Sequence, residues 1–244
     1  MERLKGTITD IQNMTAKETS VSGVTIKTLL GRPLNDVEQK FAPGILYIKG
    51  TLKIPLPKPR VSIVGSRKAS PEGLSDAGFV AKILAAKDVV IVSGLAEGID
   101  TSAHLATIEI GGKTIAVLGT PLNKTYPQKN FGLQQEIMQH HLAISQFQLG
   151  KPTRPKDFVM RNRTMALISD ATVIIEASNQ SGSLHQGWEA LRLGRPLFIW
   201  KSILKNNDLI WPEKMLSYGA MELSEPTDIL ESLPSSFEMP NLLA

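Results

Sequence analysis

Two short glycine-containing turns carry residue types suited to binding an anion. Gly65-Ser66-Arg67 follows the apolar run VSIVG and leads into a helix start, and Ser181-Gly182-Ser183 follows TVIIEA and leads into another. Glycine lets the backbone approach a phosphate closely, while hydroxyl and N–H groups bind its oxygens. Arginine adds a charged fork that suits phosphate. Each turn alone fits an anion site or a plain strand-to-helix connection, whereas two in one sheet favour a shared pocket.

The segment RPKDFVMRNRTMAL (154–167) concentrates basic residues around an amide and an aromatic ring. At 100° per residue in a helix, Arg161 and Arg163 point about 200° apart, so only one of them can face a ligand. Asn162 shares a face with apolar neighbours, and we therefore expect it to be partly buried and hydrogen-bonded. An exposed basic helix is the alternative, but the asparagine favours a site.

The stretch SGLAEGID (93–100) is not a dinucleotide fingerprint, because its glycines have the wrong spacing and no ribose-binding acid follows at the expected distance. Asp100 and His104 share a helix face. No nucleophile is implied nearby, so a pair that holds loop and helix together is favoured over a hydrolytic dyad.

Gly111-Gly112-Lys113 precedes a strand, which places it at the opposite sheet edge from the other turns unless the loop bends back.

The composition excludes several classes of protein. The chain of 244 residues contains no cysteine and four histidines, which excludes disulfide frameworks and thiol catalysis and argues against a metal site. A net charge of +4 and a pI of about 9.2 are compatible with an anionic partner. No apolar run is long enough to span a membrane, and MERLKGTITD is not a signal peptide. We expect a cytoplasmic protein without metal or cofactor.

Continuous Val/Ile runs alternate with helical patterns from residue 61 onwards. This alternation predicts an α/β domain with a doubly wound, mostly parallel sheet, whose ligands bind where strands run into helices. We expect a small N-terminal extension (1–44), one domain (45–233) and a C-terminal tail (234–244). The predicted strands are ILYIKG (45–50), VSIVG (61–65), VVIVSG (89–94), TIAVLG (114–119), HLAISQ (141–146), TVIIEA (172–177) and PLFIW (196–200).

These motifs, in this order, resemble the DNA-processing protein A (DprA/Smf) family of the Smf/DprA–LOG superfamily. The resemblance covers roughly residues 41–232. The chain differs from the family pattern at Ser145-Gln146, His185-Gln186 and Trp200-Lys201. The matching segments are LYIKG, VSIVGSR, VSGLAEGIDTSAH, GGKTIAVLG, YPQKN, FVMRNR, VIIEASNQSGSL and GRPLF.

The resemblance implies an extended Rossmann-like fold that binds single-stranded DNA, forms a homodimer and loads the recombinase RecA during natural transformation. It implies that one group of residues forms the DNA pocket, with Lys113 reaching the DNA backbone and Phe131 offering a stacking surface. The implied DNA-binding residues are Gly65, Ser66, Arg67, Lys113, Asn130, Phe131, Arg161, Asn162, Ser181, Gly182 and Ser183.

Three functions compete at this point. The number of basic residues around the predicted pocket favours a single-stranded DNA-binding protein, because a site for one nucleotide needs only one or two basic residues. A nucleotide N-glycoside hydrolase of the same superfamily needs a glutamate two or three residues past Ser183, where this chain has none. A sensor for a nucleotide-derived ligand needs only the anion-binding turns. We predict the DNA-binding protein, and no catalysis.

Overall fold

A nine-stranded mixed sheet forms the centre of the molecule. The computed structural model describes residues 21–234. The strand order is β1-β2-β6-β5-β4-β3-β7-β8-β9, and all neighbours are parallel except the antiparallel pairs β1–β2 and β2–β6. The predicted doubly wound, mostly parallel sheet is therefore confirmed. The strands are β1 (Ser22–Val24), β2 (Leu46–Gly50), β3 (Arg60–Gly65), β4 (Val90–Ser93), β5 (Thr114–Leu118), β6 (Leu142–Ser145), β7 (Ala171–Glu176), β8 (Leu197–Trp200) and β9 (Met221–Leu223).

Helices cover both faces of the sheet. The core on one face packs α3, α4 and α5 against the strands, and the core on the other face packs α1, α6, α7 and α8. Both faces of the central strands are thus buried, which is why they read as continuous apolar runs. The helices are α1 (Ile26–Leu30), α2 (Asp36–Gln39), α3 (Pro71–Ala85), α4 (Ile99–Glu109), α5 (Phe131–His140), α6 (Pro155–Ile168), α7 (Leu184–Arg192) and α8 (Trp211–Ser217).

The chain reverses its winding direction between β3 and β7. From β3 it proceeds through β4 and β5 to β6 on one side, whereas β7, β8 and β9 extend the sheet on the other. Connections leaving the carboxyl ends of two such strands diverge and open a crevice between them. The two anion-binding turns predicted from the sequence follow β3 and β7, so the fold places both at this crevice.

The edges of the sheet contain elements that the sequence patterns did not predict. Within the predicted extension, β1 pairs with β2 and joins the sheet. A buried carboxylate, Glu38, binds Arg32 at 2.6 Å and Arg195 at 2.9 Å and so ties this segment to the loop before β8. At the other edge, α8 and β9 follow the last predicted strand. None of the helices between residues 21 and 234 has the length and hydropathy needed to cross a bilayer.

Candidate functional site

A cavity of about 850 Å³ opens at the carboxyl ends of β3 and β7. The turn after β3 forms one wall, the turn after β7 forms the facing wall, and the first half of α6 closes a third side. The structure brings most of the predicted site residues together here. Those that line the cavity are Gly65, Ser66, Arg67, Arg161, Asn162, Ser181, Gly182 and Ser183.

The turn after β3 is clamped between β7 and α4. Ser66 donates its backbone N–H to the Glu176 carbonyl at 2.6 Å and accepts from Ile99 N–H at 3.2 Å. Gly98 has a φ of 75° and lies so close that a Cβ atom would overlap the carbonyl of Ser66. Only glycine adopts this conformation without strain while allowing the close approach. The wall is therefore rigid, and it presents the side chains of Ser66 and Arg67 towards the cavity.

Arg161 lies beneath the cavity floor, with 5% of its surface exposed. Its Nη1 donates to the carbonyls of Gly94 and Val117, the latter at 2.8 Å, and its Nε donates to Asn162 Oδ1 at 2.9 Å. The Gly94 N–H in turn donates to the buried Asp100 carboxylate at 3.1 Å. Burial raises the pKa of Asp100, and the Arg161 charge opposes that rise. These bonds fasten the ends of β4 and β5, and a ligand contact by Arg161 stays a prediction.

Asn162 ties helix α6 to the turn after β7. It is buried, its Oδ1 accepts from Arg161, and its Nδ2 donates to the carbonyl of Gly182 at 3.1 Å. The prediction of a buried, hydrogen-bonded asparagine is confirmed. Two hydroxyl oxygens that line the cavity, Thr153 Oγ1 and Ser183 Oγ, are buried without a hydrogen-bond partner among the described residues.

Basic and aromatic groups dominate the cavity rim. The Arg67 guanidinium lies 5.4 Å from the ring centre of Phe158, and the Tyr126 ring lies 5.3 Å from Phe158 on centres. Tyr126 is 52% exposed, so one face of this cluster is open to a ligand. Six charged residues between positions 21 and 234 line the cavity, and of these only the buried Asp100 is acidic. The basic ones are Arg67, Lys68, Lys124, Arg154 and Arg161.

Three predicted site residues do not line this cavity. Lys113 precedes β5 and borders a second cavity of about 470 Å³, because the start and the end of a strand lie at opposite edges of the sheet. Asn130 is buried and donates to the Leu95 carbonyl at 3.0 Å and to Thr101 Oγ1 at 2.8 Å. Phe131 is exposed at the start of α5. Ligand contacts by these three residues stay predictions.

Sequence reasoning missed Lys68, Lys124 and Tyr126 at the rim. Lys68 adjoins the predicted arginine, and Tyr126 begins the YPQKN segment, so proximity to a motif was the available signal. The pairing expected between Asp100 and His104 is wrong. His104 Nδ1 instead lies 2.7 Å from Thr114 Oγ1, because β5 supplies a closer partner.

Comparisons with known proteins identify relatives of this chain. A family model described as DNA recombination-mediator protein A matches residues 32–234. The DNA processing protein DprA of Streptococcus pneumoniae is 42% identical over 157 residues, which are 64% of this chain and 55% of that protein. The chain thus spans about half the length of that relative.

Two solved structures share the fold. The DNA processing protein A of Streptococcus pneumoniae matches with a TM-score of 0.73 and 32% identity, covering 92% of this chain and 78% of that one. The protein from Helicobacter pylori, for which a single-stranded DNA binding mode is described, matches with a TM-score of 0.74 and 26% identity. That match covers 88% of this chain and 95% of the other. The expected Rossmann-like architecture is confirmed by these likenesses.

Proposed function

This chain belongs to the DNA recombination-mediator protein A family, and from that premise we propose that it binds single-stranded DNA in the cavity between β3 and β7. One observation carries the proposal: five basic side chains and an exposed aromatic ring surround a cavity whose only acidic lining residue in the described part of the chain is buried. A basic groove with a stacking surface is the recurring design of proteins that bind single strands.

Each part of the cavity suits a part of the strand. Arg67 and the turn 181–183 supply a guanidinium, a hydroxyl and backbone groups for phosphodiester oxygens. The open face of Tyr126, supported by Phe158, suits the flat face of a base. Because every base has such a face, stacking of this kind tolerates different sequences. We infer that binding is governed by the backbone charge and is largely independent of sequence.

Among residues 21–234, the acids near the cavity are not placed as a glycoside hydrolase requires. A glycoside hydrolase would need a free carboxylate just past the turn 181–183. The nearest acid along α7 is Glu189, which is buried and held by Arg192 at 2.5 Å. Asp100 lies under the floor and accepts backbone N–H bonds. We therefore propose a binding protein and not an enzyme.

A salt-titrated binding assay tests the proposal. Labelled single-stranded oligonucleotide is titrated with wild type, Arg67→Ala and, as a matched control, Lys87→Ala, which removes an exposed lysine that lines neither cavity. Losing one charge-assisted phosphate contact should weaken binding about tenfold or more and reduce the slope of log K against log[salt] by about 0.7. Lys87→Ala should bind like wild type. No binding at low salt, or equal losses in both variants, would refute binding in this cavity.

A nucleotide-derived ligand is the second candidate, because a volume of about 850 Å³ also falls in the range of small-molecule pockets. The same assay separates the two. A mononucleotide ligand would displace the oligonucleotide at micromolar concentration, whereas a polyanion site would need far higher concentrations of a single nucleotide.

Family membership also supports a homodimer, RecA as a partner in recombination and a cytoplasmic location, which we include in the proposal. The division of the chain into an extension (1–44), a domain (45–233) and a tail (234–244) is also part of the proposal. Sedimentation velocity at several concentrations tests the dimer, and a pull-down of purified RecA with and without single-stranded DNA tests the partner. A monomer at all concentrations, or no RecA retained, would remove the corresponding part.

A further inference from the structure

Two helices start beside the cavity, and their N-termini differ in what they can bind. The first helix, α3, follows the turn after β3, and the second, α7, follows the turn after β7. A helix N-terminus attracts an anion because its first N–H groups point outward and its dipole is positive there. The sequence patterns of the two starts are alike, and only the structure shows what each start already holds.

The N-terminus of α3 is occupied by a carboxylate of the protein itself. Glu176, the last residue of β7, accepts from the Ser70 N–H with both oxygens at 3.1 Å, and from Ser70 Oγ at 2.5 Å. The Ser70 hydroxyl also accepts the Gly73 N–H at 3.0 Å, and Pro71 has no N–H to offer. The fit is tight, since a Cβ atom at Gly73 would overlap Glu176 Oε2.

No positive side chain among the described residues forms an ion pair with Glu176. Its charge is instead stabilised by the helix start and by the Ser70 donors. A phosphate placed at the same donors would compete for the same hydrogens and would lie within a few ångströms of the carboxylate, where like charges repel. Neither Ser70 nor Pro71 lines the cavity, in keeping with a closed helix start.

Among residues 21–234, no carboxylate bonds to the N-terminus of α7, where the N–H groups of Leu184 and His185 donate to the carbonyls of Ser181 and Gly182 at 3.2 Å each. Ser183 makes no side-chain capping bond, and its Oγ is buried without a partner among residues 21–234 while lining the cavity. The unpartnered Thr153 Oγ1 lines the same cavity. A ligand oxygen that approaches these helix starts therefore meets a carboxylate at α3 and, within the described part of the chain, none at α7.

We propose that Glu176 is a specificity-determining residue that closes the α3 start to phosphate. Glu176 thereby prevents the phosphate of a free nucleotide from binding at the N-terminus of α3, the kind of position where many doubly wound proteins bind it. Ligand phosphates bind instead at Arg67 and the turn 181–183. The inference rests on the proposed function, because it names which phosphates the cavity accepts. It predicts a preference for the internal phosphodiesters of a strand over the terminal phosphate of a mononucleotide.

Phosphate titrations test this role without DNA. Inorganic phosphate and deoxyadenosine 5′-monophosphate are added to wild type, Glu176→Ala and Glu72→Ala, and backbone amide shifts are followed. Glu72 is an exposed acid in the same first helical turn, so it controls for the general loss of one negative charge. Glu176→Ala should bind inorganic phosphate at least about tenfold more tightly than wild type, with shifts at the amides of Ser70, residue 72 and Gly73. Glu72→Ala should change affinity less than about threefold.

Two results would overturn the proposal. One is a folded Glu176→Ala protein that gains no phosphate affinity, or that gains no more than Glu72→Ala. The other is a wild-type protein whose amides at Ser70, Glu72 and Gly73 shift with phosphate, and this result contradicts the proposal even if Glu176→Ala does not fold. Failure of oligonucleotide binding would instead count against the proposed function, and it is measured separately.

Discussion

Replacing Arg161 by methionine should destabilise the fold far more than it weakens ligand binding per folded molecule. The guanidinium is buried, and its donors go to the carbonyls of Gly94 and Val117 and to the side chain of Asn162. A methionine fills a similar volume but donates nothing. The ends of β4 and β5 would then lose the group that holds them side by side.

The size of the expected destabilisation follows from the carbonyl and amide acceptors that Arg161→Met leaves without a donor. Each buried acceptor without a donor costs about 1–3 kcal/mol, and removing one charge from a buried charged cluster typically costs about 3–5 kcal/mol. Asp100 limits the loss, because burial already raises its pKa and lets it take up a proton when Arg161 is gone. We therefore expect a loss of about 4 kcal/mol and a Tm about 10 °C lower.

Urea unfolding followed by far-ultraviolet circular dichroism measures the loss, with Arg67→Met as the control. Arg67 is exposed and reaches over the Phe158 ring, so its replacement should change stability by less than about 1 kcal/mol while reducing affinity for single-stranded DNA. The opposite pattern, an Arg161→Met protein of wild-type stability with impaired DNA binding, would show that this guanidinium serves the ligand and that the reasoning is wrong.

Three further predictions concern acid stability and stacking. Arg32 holds the pKa of Glu38 at about 2, so stability should fall by about 3 kcal/mol as pH drops from 4.5 towards 2, and Glu38→Gln should lack this dependence in urea titrations. Burial lowers the pKa of His104 to about 3, so stability is complete above pH 6.5 and should be about 2 kcal/mol lower at pH 5. A His104→Gln protein with an unchanged slope between pH 6.5 and 5 would contradict this assignment. Tyr126→Ala should weaken oligonucleotide binding by about 1–3 kcal/mol without changing the urea midpoint, and unchanged affinity would remove the stacking role.

Much of the fold was predictable because local patterns and tertiary structure agree. Strands buried on both faces are rich in apolar residues, and β3, β4, β5 and β7 are, although each also buries a polar residue. Helix α3 begins with a capping serine and a proline at its first position, as its sequence indicates. In contrast, β1, α8 and β9 are short, and their residues show no strong periodicity, so the rest of the sheet and the core determine their structure.

By itself the sequence determined which turns face the cavity, because the order of strands and helices places the turns after β3 and β7 at one edge and Lys113 at the other. Only the tertiary structure decided what those residues do there. Helical spacing predicts that Arg161 and Arg163 point in different directions. Only the packing of α6 against β5 determines that Arg161 is the buried one. Likewise, nothing near residue 70 in the chain indicates that Glu176 fills the start of α3. The physical reason is that hydrogen bonds and charge compensation act across strand neighbours about a hundred residues apart, where no sequence pattern extends.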